Sequence, residues 1–227
     1  MVQIENGYAT LRLKFYKVGK LQYISHLDLV RTFNKILVRA HLPLWYTEGF
    51  NPKPKLSFVA NLSIGTESVC EYMDIRLTEV MDPEAVRKVL NANLTDEMQI
   101  TEAYYPDSKL TAMTWLRYEI RIHTDGTDAA LADRCREVLN ADRIEVMKRN
   151  KEGQSVPADI RASVRSAEVS VENGDLRIDA VLGFLNPEYL IDALRAGAGI
   201  LHNPDLTKEY YSVMRTAAYF EDMTPFR

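Results

Sequence analysis

The chain has 227 residues, of which 46% are hydrophobic and 26% charged, and these values exclude a disordered or a fibrous protein. Its formal charge of −4 excludes a polycation. The N-terminal residues lack the basic stretch and apolar run of a signal peptide, and no apolar stretch is long enough to span a membrane. We therefore expect a cytoplasmic protein that does not enter a membrane.

The two cysteines, Cys70 and Cys135, are far apart in the sequence and are predicted to be reduced core residues. Two thiolates are too few for an iron–sulfur cluster and do not fit the usual structural zinc site. The four histidines are scattered, and the chain has no glycine-rich phosphate loop. The sequence therefore predicts neither a metal nor a cofactor.

The first half of the chain has the order strand, helix, strand, strand, helix, strand. Residues 9–16 alternate between apolar and polar side chains, which predicts a strand. Ser25 is a candidate N-cap for a helix over 26–40, and Asp82 with Pro83 predicts the start of a helix over 83–92. The remaining extended pieces are predicted at 44–47, 55–60, 68–77 and 98–105.

The second half repeats this order with insertions. A first strand is predicted before a helix at about 128–140, and further strands are predicted over 143–149, on both sides of Asn173-Gly174, and over 210–219. A last helix is predicted from Asn186-Pro187 to about Arg195. The predicted fold class is α+β, with two tandem ferredoxin-like (split βαβ) units and antiparallel sheets. The units are predicted at 1–105 and 114–227, and the polar residues 106–113 are predicted to link them.

Positive charge is concentrated in residues 11–58, which have nine basic residues and only two acidic ones. Eight aromatic residues lie in the same segment, and cations with aromatic rings suit a polyanion with stackable bases. Arg31, Lys35 and Arg39 form a helical stripe, which is equally typical of a solvated helix face. On the first strand, the polar face predicted to contact the anion carries Arg12, Lys14 and Tyr16.

The loop after the first helix is a second candidate for anion binding. Gly49 permits a positive φ angle, and two prolines stiffen the residues that follow. In extended backbone Lys53 and Lys55 point the same way, so the loop presents two cations at low entropy cost. The alternative is a rigid connection between strands. The candidate residues of this loop are Tyr46, Gly49, Phe50, Asn51, Pro52, Lys53 and Lys55.

Ser25, His26 and Asp28 bring polar residue types together at the start of the first helix. A neutral His26, positioned by Asp28, is conceivable as a general base, whereas Asp28 is also explained as a capping residue. A second, smaller basic cluster has Lys148, Arg149 and Lys151 before Asp159 and Arg161. Asp159 and Arg161 are candidates for binding, although such a pair more often forms local contacts.

Four segments resemble the radical SAM-linked protein family, a bacterial domain of unknown function encoded beside, or fused to, a cobalamin-type radical SAM protein. The segments are residues 17–31, 46–57, 65–72 and 156–161. The family is also found among genes for ribonuclease and ribosomal proteins, which implies an RNA context. Asn186 departs from the family pattern and leaves an anion contact at the late helix in doubt. Glu48 also departs from it and makes the loop before Lys53 slightly less cationic. The chain lacks cluster cysteines, so the resemblance implies the partner of the radical enzyme.

These observations favour a non-catalytic accessory protein that binds RNA, a ribosomal particle or another anionic substrate for a radical SAM enzyme. One alternative is a metal-independent RNA endonuclease of the CRISPR-repeat type, with His26 and Asp28 as its catalytic residues. A purely protein-binding adaptor is the other, in which the cations meet acidic patches of a partner.

Overall fold

The computed structural model describes residue 4, residues 7–150 and residues 152–227, and it divides the chain into two units. Unit 1 comprises Met1–Thr114 with Ala218–Arg227, and unit 2 comprises Trp115–Ala217. The sequence predicts a second unit that runs to residue 227, whereas residues 218–227 pack with unit 1. The predicted linker, residues 106–113, also belongs to unit 1. Lys151 of the second basic cluster lies outside the described residues.

Unit 1 has the predicted order of strands and helices. Its elements are β1 (Ala9–Lys17), α1 (His26–Arg39), β2 (Leu56–Phe58), β3 (Thr66–Leu77), α2 (Pro83–Asn91) and β4 (Met98–Tyr104). Residues 44–47, predicted as a strand, make only isolated bridges at Leu44 and Tyr46. The chain enters a tight loop directly after Tyr46, so the pairing does not extend into a longer β-ladder.

The sheet of unit 1 has the strand order β4-β1-β3, and β2 pairs with the outer side of β3. The pairs β1–β3, β1–β4 and β2–β3 are all antiparallel. Leu11, Leu13 and Phe15 of β1 face the core with Phe33 and Leu37 of α1, because alternation puts every second strand residue on that face. The opposite face of the sheet therefore carries the polar residues of β1, the first group of candidate binding residues.

Unit 2 contains one main sheet and a separate hairpin. Its elements are β5 (Trp115–His123), α3 (Ala129–Asn140), β6 (Glu145–Arg149), β7 (Ser155–Asp159), β8 (Val164–Glu172), β9 (Asp175–Leu182), α4 (Glu188–Ala198) and β10 (Tyr210–Tyr219), which ends just beyond the unit.

The main sheet of unit 2 has the order β10-β5-β9-β8, and β6 pairs with β7 in a two-stranded sheet of its own. The sequence predicts β6 but not its partner β7, which contains Pro157. The turn between β8 and β9 has φ angles of 53° at Asn173 and 85° at Gly174, the geometry that the Asn-Gly pair predicts.

The α+β class with mostly antiparallel strands is confirmed, while the ferredoxin-like character of each unit stays a prediction. Cys70 and Cys135 are buried and are not joined by a disulfide, as the sequence predicts. Across the described part of the chain, every helix is too short or too polar to cross a bilayer.

Candidate functional site

Helix α1 is positioned by its cap and by its buried face. The Ser25 hydroxyl accepts a hydrogen bond from the backbone N–H of Asp28 at 3.1 Å, which satisfies one of the free donors of the first turn. Leu29, Phe33 and Leu37 are buried against the sheet. The stripe of basic residues therefore lies on the outer surface of the helix.

The three cations of this stripe differ in their partners. Arg31 donates to Asp28 at 3.1 Å in an exposed i,i+3 pair, which is worth little in water. Lys35 and Arg39 are exposed, and neither has a carboxylate at ion-pair distance within the described residues. Positive charge on this face is therefore largely uncompensated.

The loop after α1 is closed by main-chain hydrogen bonds. Thr47 N–H donates to the Lys53 carbonyl at 2.9 Å, and Lys53 N–H donates to the Thr47 hydroxyl at 3.2 Å. Gly49 has a φ angle of 116°, a backbone conformation that residues with a Cβ atom rarely adopt. The closure holds Phe50 at the loop tip, where its ring is fully exposed. An exposed aromatic ring on a loop whose backbone is closed by hydrogen bonds is a suitable surface for stacking.

Helix α1 and this loop enclose a groove of about 530 Å³, which we call the basic groove. It is lined by Arg31, Asn34, Lys35, Val38, Arg39, Lys53 and Pro54. The lining surface is mostly apolar and is supplied by Val38, Pro54 and the aliphatic parts of the four basic side chains. The sequence reasoning placed the helix stripe and the loop in one candidate site, and the structure brings Lys53 of the loop to the stripe.

Other predicted loop residues surround the groove or lie away from it. Asn51 and Pro52 are exposed with Phe50 at the loop tip. Tyr46 is exposed and bridges to Pro54 at the base of the loop. Lys55 is half-buried and does not line the groove, so the structure does not bring its side chain to Lys53 there.

Arg12, predicted to contact the ligand, is buried instead. Its Nε and Nη2 atoms bind the two carboxylate oxygens of Asp74 at 2.8 and 3.0 Å. Nη2 and Nη1 also donate to the carbonyl groups of Ser108 and Arg227 at 2.8 and 3.0 Å, respectively. Burial raises the pKa of the Asp74 carboxyl, and the Arg12 guanidinium opposes that shift. All these partners belong to unit 1, so Arg12 holds this unit together and is not available to a ligand.

The other two predicted residues of the β1 face also have internal partners. Lys14 binds the Glu102 carboxylate at 2.7 Å, and Tyr16 donates its hydroxyl hydrogen to the Asp96 carbonyl at 2.9 Å. Both side chains are half-buried. Their polar groups are engaged across the neighbouring strand and its preceding loop, in contrast to the cations of the basic groove.

His26 and Asp28 make no hydrogen bond or ion pair with each other, so they do not form a catalytic pair. The Asp28 carboxylate accepts from the Ser25 hydroxyl at 2.7 Å and from Arg31, and these hydrogen bonds lower its pKa. The His26 ring packs edge-on against Phe58 with ring centroids 5.3 Å apart. Burial lowers the pKa of His26 and outweighs the opposite effect of Glu71. Ser25 and Asp28 therefore act in helix capping.

The side chains of Asp159 and Arg161 bind backbone groups around them and do not pair with each other. The Asp159 carboxylate accepts from the N–H groups of Ile144 and Arg161 at 3.0 and 2.9 Å, and these hydrogen bonds lower its pKa. The Arg161 guanidinium donates to the carbonyl of Leu139 at 3.3 Å, near the end of α3. Both side chains therefore hold local structure in unit 2.

A second concave surface in unit 1 was missed by the sequence reasoning. It has a volume of about 710 Å³ and is lined on one side by Arg76, so we call it the Arg76 cleft. The Arg76 guanidinium lies 3.9 Å from the ring centroid of Tyr8 and 5.2 Å from that of Trp45. Alternation along β3 places Arg76 on the polar face, but the sequence does not show that Tyr8 and Trp45 meet it.

The described residues contain no group of three His, Cys, Asp or Glu side chains arranged to hold a metal ion. No curated protein sequence matches this chain. A search of solved structures found a chain of the "Crystal Structure of a Cbf5-Nop10-Gar1 Complex", at 14% identity and a TM-score of 0.49. The match covers 92% of this chain and 48% of that one, so this chain spans about half of its length. This likeness is too loose to carry an argument about function.

Residues 10–190 match the model of a family described as "Uncharacterized protein conserved in bacteria (DUF2344)". The matched range covers both units: it includes β1 and the basic groove of unit 1, and it reaches the start of α4 in unit 2. Because the match covers most of the sequence, the chain belongs to this bacterial family.

Proposed function

We propose that this protein is a non-catalytic accessory protein that binds RNA in the basic groove. The supporting observation is that four cations from two separate segments, α1 and the loop that follows it, line one groove. Only Arg31 among them has a carboxylate partner within the described residues, and that partner is exposed. Uncompensated cations at a groove are what a phosphate backbone requires.

Phe50 favours a single-stranded nucleic acid over polyanions without bases in this proposal. Its ring is exposed on the loop that supplies Lys53, so a strand whose phosphates occupy the groove has an aromatic surface close by. Base stacking on an aromatic side chain contributes about 1–3 kcal/mol per base. A single-stranded RNA offers unpaired bases for this contact, whereas a duplex does not.

The resemblance of the four sequence segments to the radical SAM-linked family supports a second part of the proposal. We infer that the bound RNA is presented to a radical SAM enzyme, which acts in trans. Co-expression of this chain with a radical SAM protein of the type encoded beside members of that family, followed by purification through a tag on either protein, tests this part. Recovery of a stoichiometric complex supports it, and separate elution at micromolar concentration contradicts it.

Fluorescence anisotropy with a labelled single-stranded RNA tests the RNA-binding part. The wild type is compared with the groove variant Lys35→Ala/Lys53→Ala and with Lys88→Ala/Lys208→Ala, which removes the same charge at exposed positions outside the groove. We expect binding that weakens as salt rises from about 50 mM to about 200 mM. The groove variant should bind more weakly than both other proteins.

Three outcomes would contradict the proposal. Absence of RNA binding at low salt, together with a complex with the radical SAM protein, would reassign the basic groove to protein docking. Equal losses in the two double variants would show that net charge, not the groove, determines binding. Metal-independent RNA cleavage that disappears in His26→Ala would show that the protein is a nuclease.

A further inference from the structure

The Arg76 cleft has the features of a ligand site that is independent of the basic groove. Its volume of about 710 Å³ lies within the range of about 300–1,000 Å³ that small-molecule sites occupy. All its lining residues belong to unit 1, and none of them lines the basic groove. It therefore requires an explanation of its own.

The strongest feature of the cleft is the state of Arg76. Its side chain is half-buried, and no carboxylate of the described residues lies at ion-pair distance from it. Stacking on Tyr8 fixes the plane of the guanidinium and leaves its edge, with its fork of N–H donors, free to face a ligand. Such a fork matches two oxygens of a phosphate or a carboxylate group.

Hydroxyl groups and a second cation surround Arg76. Thr10 lies opposite Arg76 across β1 and β3, and Ser57 lies opposite Asp74 across β2 and β3, so all four side chains share one face. The Thr10 hydroxyl makes no hydrogen bond to any described residue, and the exposed Lys109 also lines the cleft. Together with the Arg76 fork, these donors suit the three or four oxygens of a phosphate better than the two of a carboxylate. Strand β3 separates Ser57 from Thr10, so the Ser57 hydroxyl is available to another part of a ligand than the phosphate.

The carboxylates of the cleft do not cancel this charge. Asp74 accepts hydrogen bonds from Nε and Nη2 of Arg12, so the pair is neutral as a whole. Asp107 is exposed and lines the cleft, and a carboxylate can accept hydrogen bonds from hydroxyl groups. A ligand that carries hydroxyl groups as well as a phosphate therefore matches this lining.

We propose that the Arg76 cleft binds a phosphate ester of nucleotide size, with its phosphate on Arg76, Thr10 and Lys109 and its sugar hydroxyls on Ser57 and Asp107. This site does not depend on RNA binding in the basic groove. Its ligand is either a free nucleotide or a terminal or internal phosphate of a nucleic acid strand, since the chemistry recognised is the same.

Isothermal titration calorimetry of the full chain with AMP, adenosine and a dinucleotide without a terminal phosphate tests the proposal. We expect AMP to bind about tenfold more tightly than adenosine, because charge-assisted hydrogen bonds to the phosphate are absent in the nucleoside. Arg76→Gln should weaken AMP binding by about tenfold, and Arg76→Lys by less, because it keeps the charge but loses the fork. Binding of the dinucleotide in place of AMP would assign the site to an internal phosphate.

Two controls keep the result interpretable. Because Arg76 stacks on Tyr8, the variant Thr10→Val retains that stack and removes only a hydroxyl next to Arg76, and it too should weaken AMP binding. Lys35→Ala/Lys53→Ala, in the basic groove, should leave AMP binding unchanged. Equal affinities for AMP and adenosine, AMP binding that survives Arg76→Gln, or a loss only in the groove variant would each overturn the proposal.

Discussion

Two regions of unit 1 carry basic residues but differ in what those residues contact. On the β1 face, Arg12 and Lys14 bind Asp74 and Glu102 within hydrogen-bond distance. In the basic groove, Lys35, Arg39 and Lys53 have no such partner among the described residues. Both regions belong to the same positively charged segment of the sequence.

The difference shows that a local excess of cations does not by itself indicate a binding surface. A cation that is buried with a carboxylate has already exchanged its water for protein contacts, and it stabilises the fold only as long as both partners are present. An exposed and unpaired cation keeps its charge available to a phosphate. The predictions that follow test this division, from the largest expected effect to the smallest.

Replacement of Arg12 should destabilise the protein strongly. Arg12→Met leaves the Asp74 carboxylate buried without its partner, and loss of one member of a buried pair costs about 3–5 kcal/mol. Urea unfolding measures this change. Arg12→Met/Asp74→Leu should recover most of the loss, because it removes both charges. A loss below about 1 kcal/mol in the single variant would place Arg12 among ordinary surface residues.

Removal of the exposed ring at the loop tip should affect RNA binding but not folding. Phe50→Ala should weaken binding of single-stranded RNA by about 1–3 kcal/mol per stacked base and leave binding of inorganic polyphosphate unchanged. Phe184→Ala, at an exposed phenylalanine of unit 2, is the matched control. Equal weakening for RNA and polyphosphate would contradict the stacking role of Phe50.

The partly exposed pair on the β1 face should contribute little to either property. Lys14→Ala removes an ion pair whose partner is almost half exposed, so the free energy of unfolding should fall by about 0–1 kcal/mol. RNA affinity at fixed salt should stay within the error of the wild-type value. A clear loss of RNA affinity in the folded variant would extend the binding surface to the β1 face.

The smallest effect concerns pH and His26. Burial holds the pKa of His26 in the folded protein below its ordinary value of 6.5, so the unfolded chain binds more protons as pH falls through that value. The folded state therefore loses stability on acidification and regains it above that value. When the pH is lowered from about 7.5 to about 5.5, the free energy of unfolding measured with urea should fall less for His26→Gln than for the wild type. An equal or larger loss in the variant would contradict this sign.

Features encoded by neighbouring residues could be predicted from the sequence. The helix stripe of Arg31, Lys35 and Arg39 follows from the helical repeat, and the turn at Asn173 and Gly174 follows from the conformations those residues favour. The closed loop before Lys53 follows from Gly49 and the prolines. These signals depend on spacing within a few residues.

Features that depend on distant partners could not be predicted. Asp74 lies 62 residues after Arg12, and the Arg227 carbonyl lies 215 residues after it, so nothing near Arg12 indicates that it is buried. Tyr8, Trp45 and Arg76 likewise come from three separate segments. The sequence also predicts β6 without showing that β6 leaves the main sheet to pair with β7.

The salt dependence of RNA affinity tests the central claim most directly. The slope of the logarithm of affinity against the logarithm of salt is compared for the wild type, for Lys35→Ala/Arg39→Ala/Lys53→Ala, and for Lys14→Ala/Lys88→Ala/Lys208→Ala. We predict that the groove variant loses about one unit of slope for each removed phosphate contact, while the control keeps the wild-type slope. Equal slopes in the two triple variants would contradict the claim that the basic groove holds the RNA backbone.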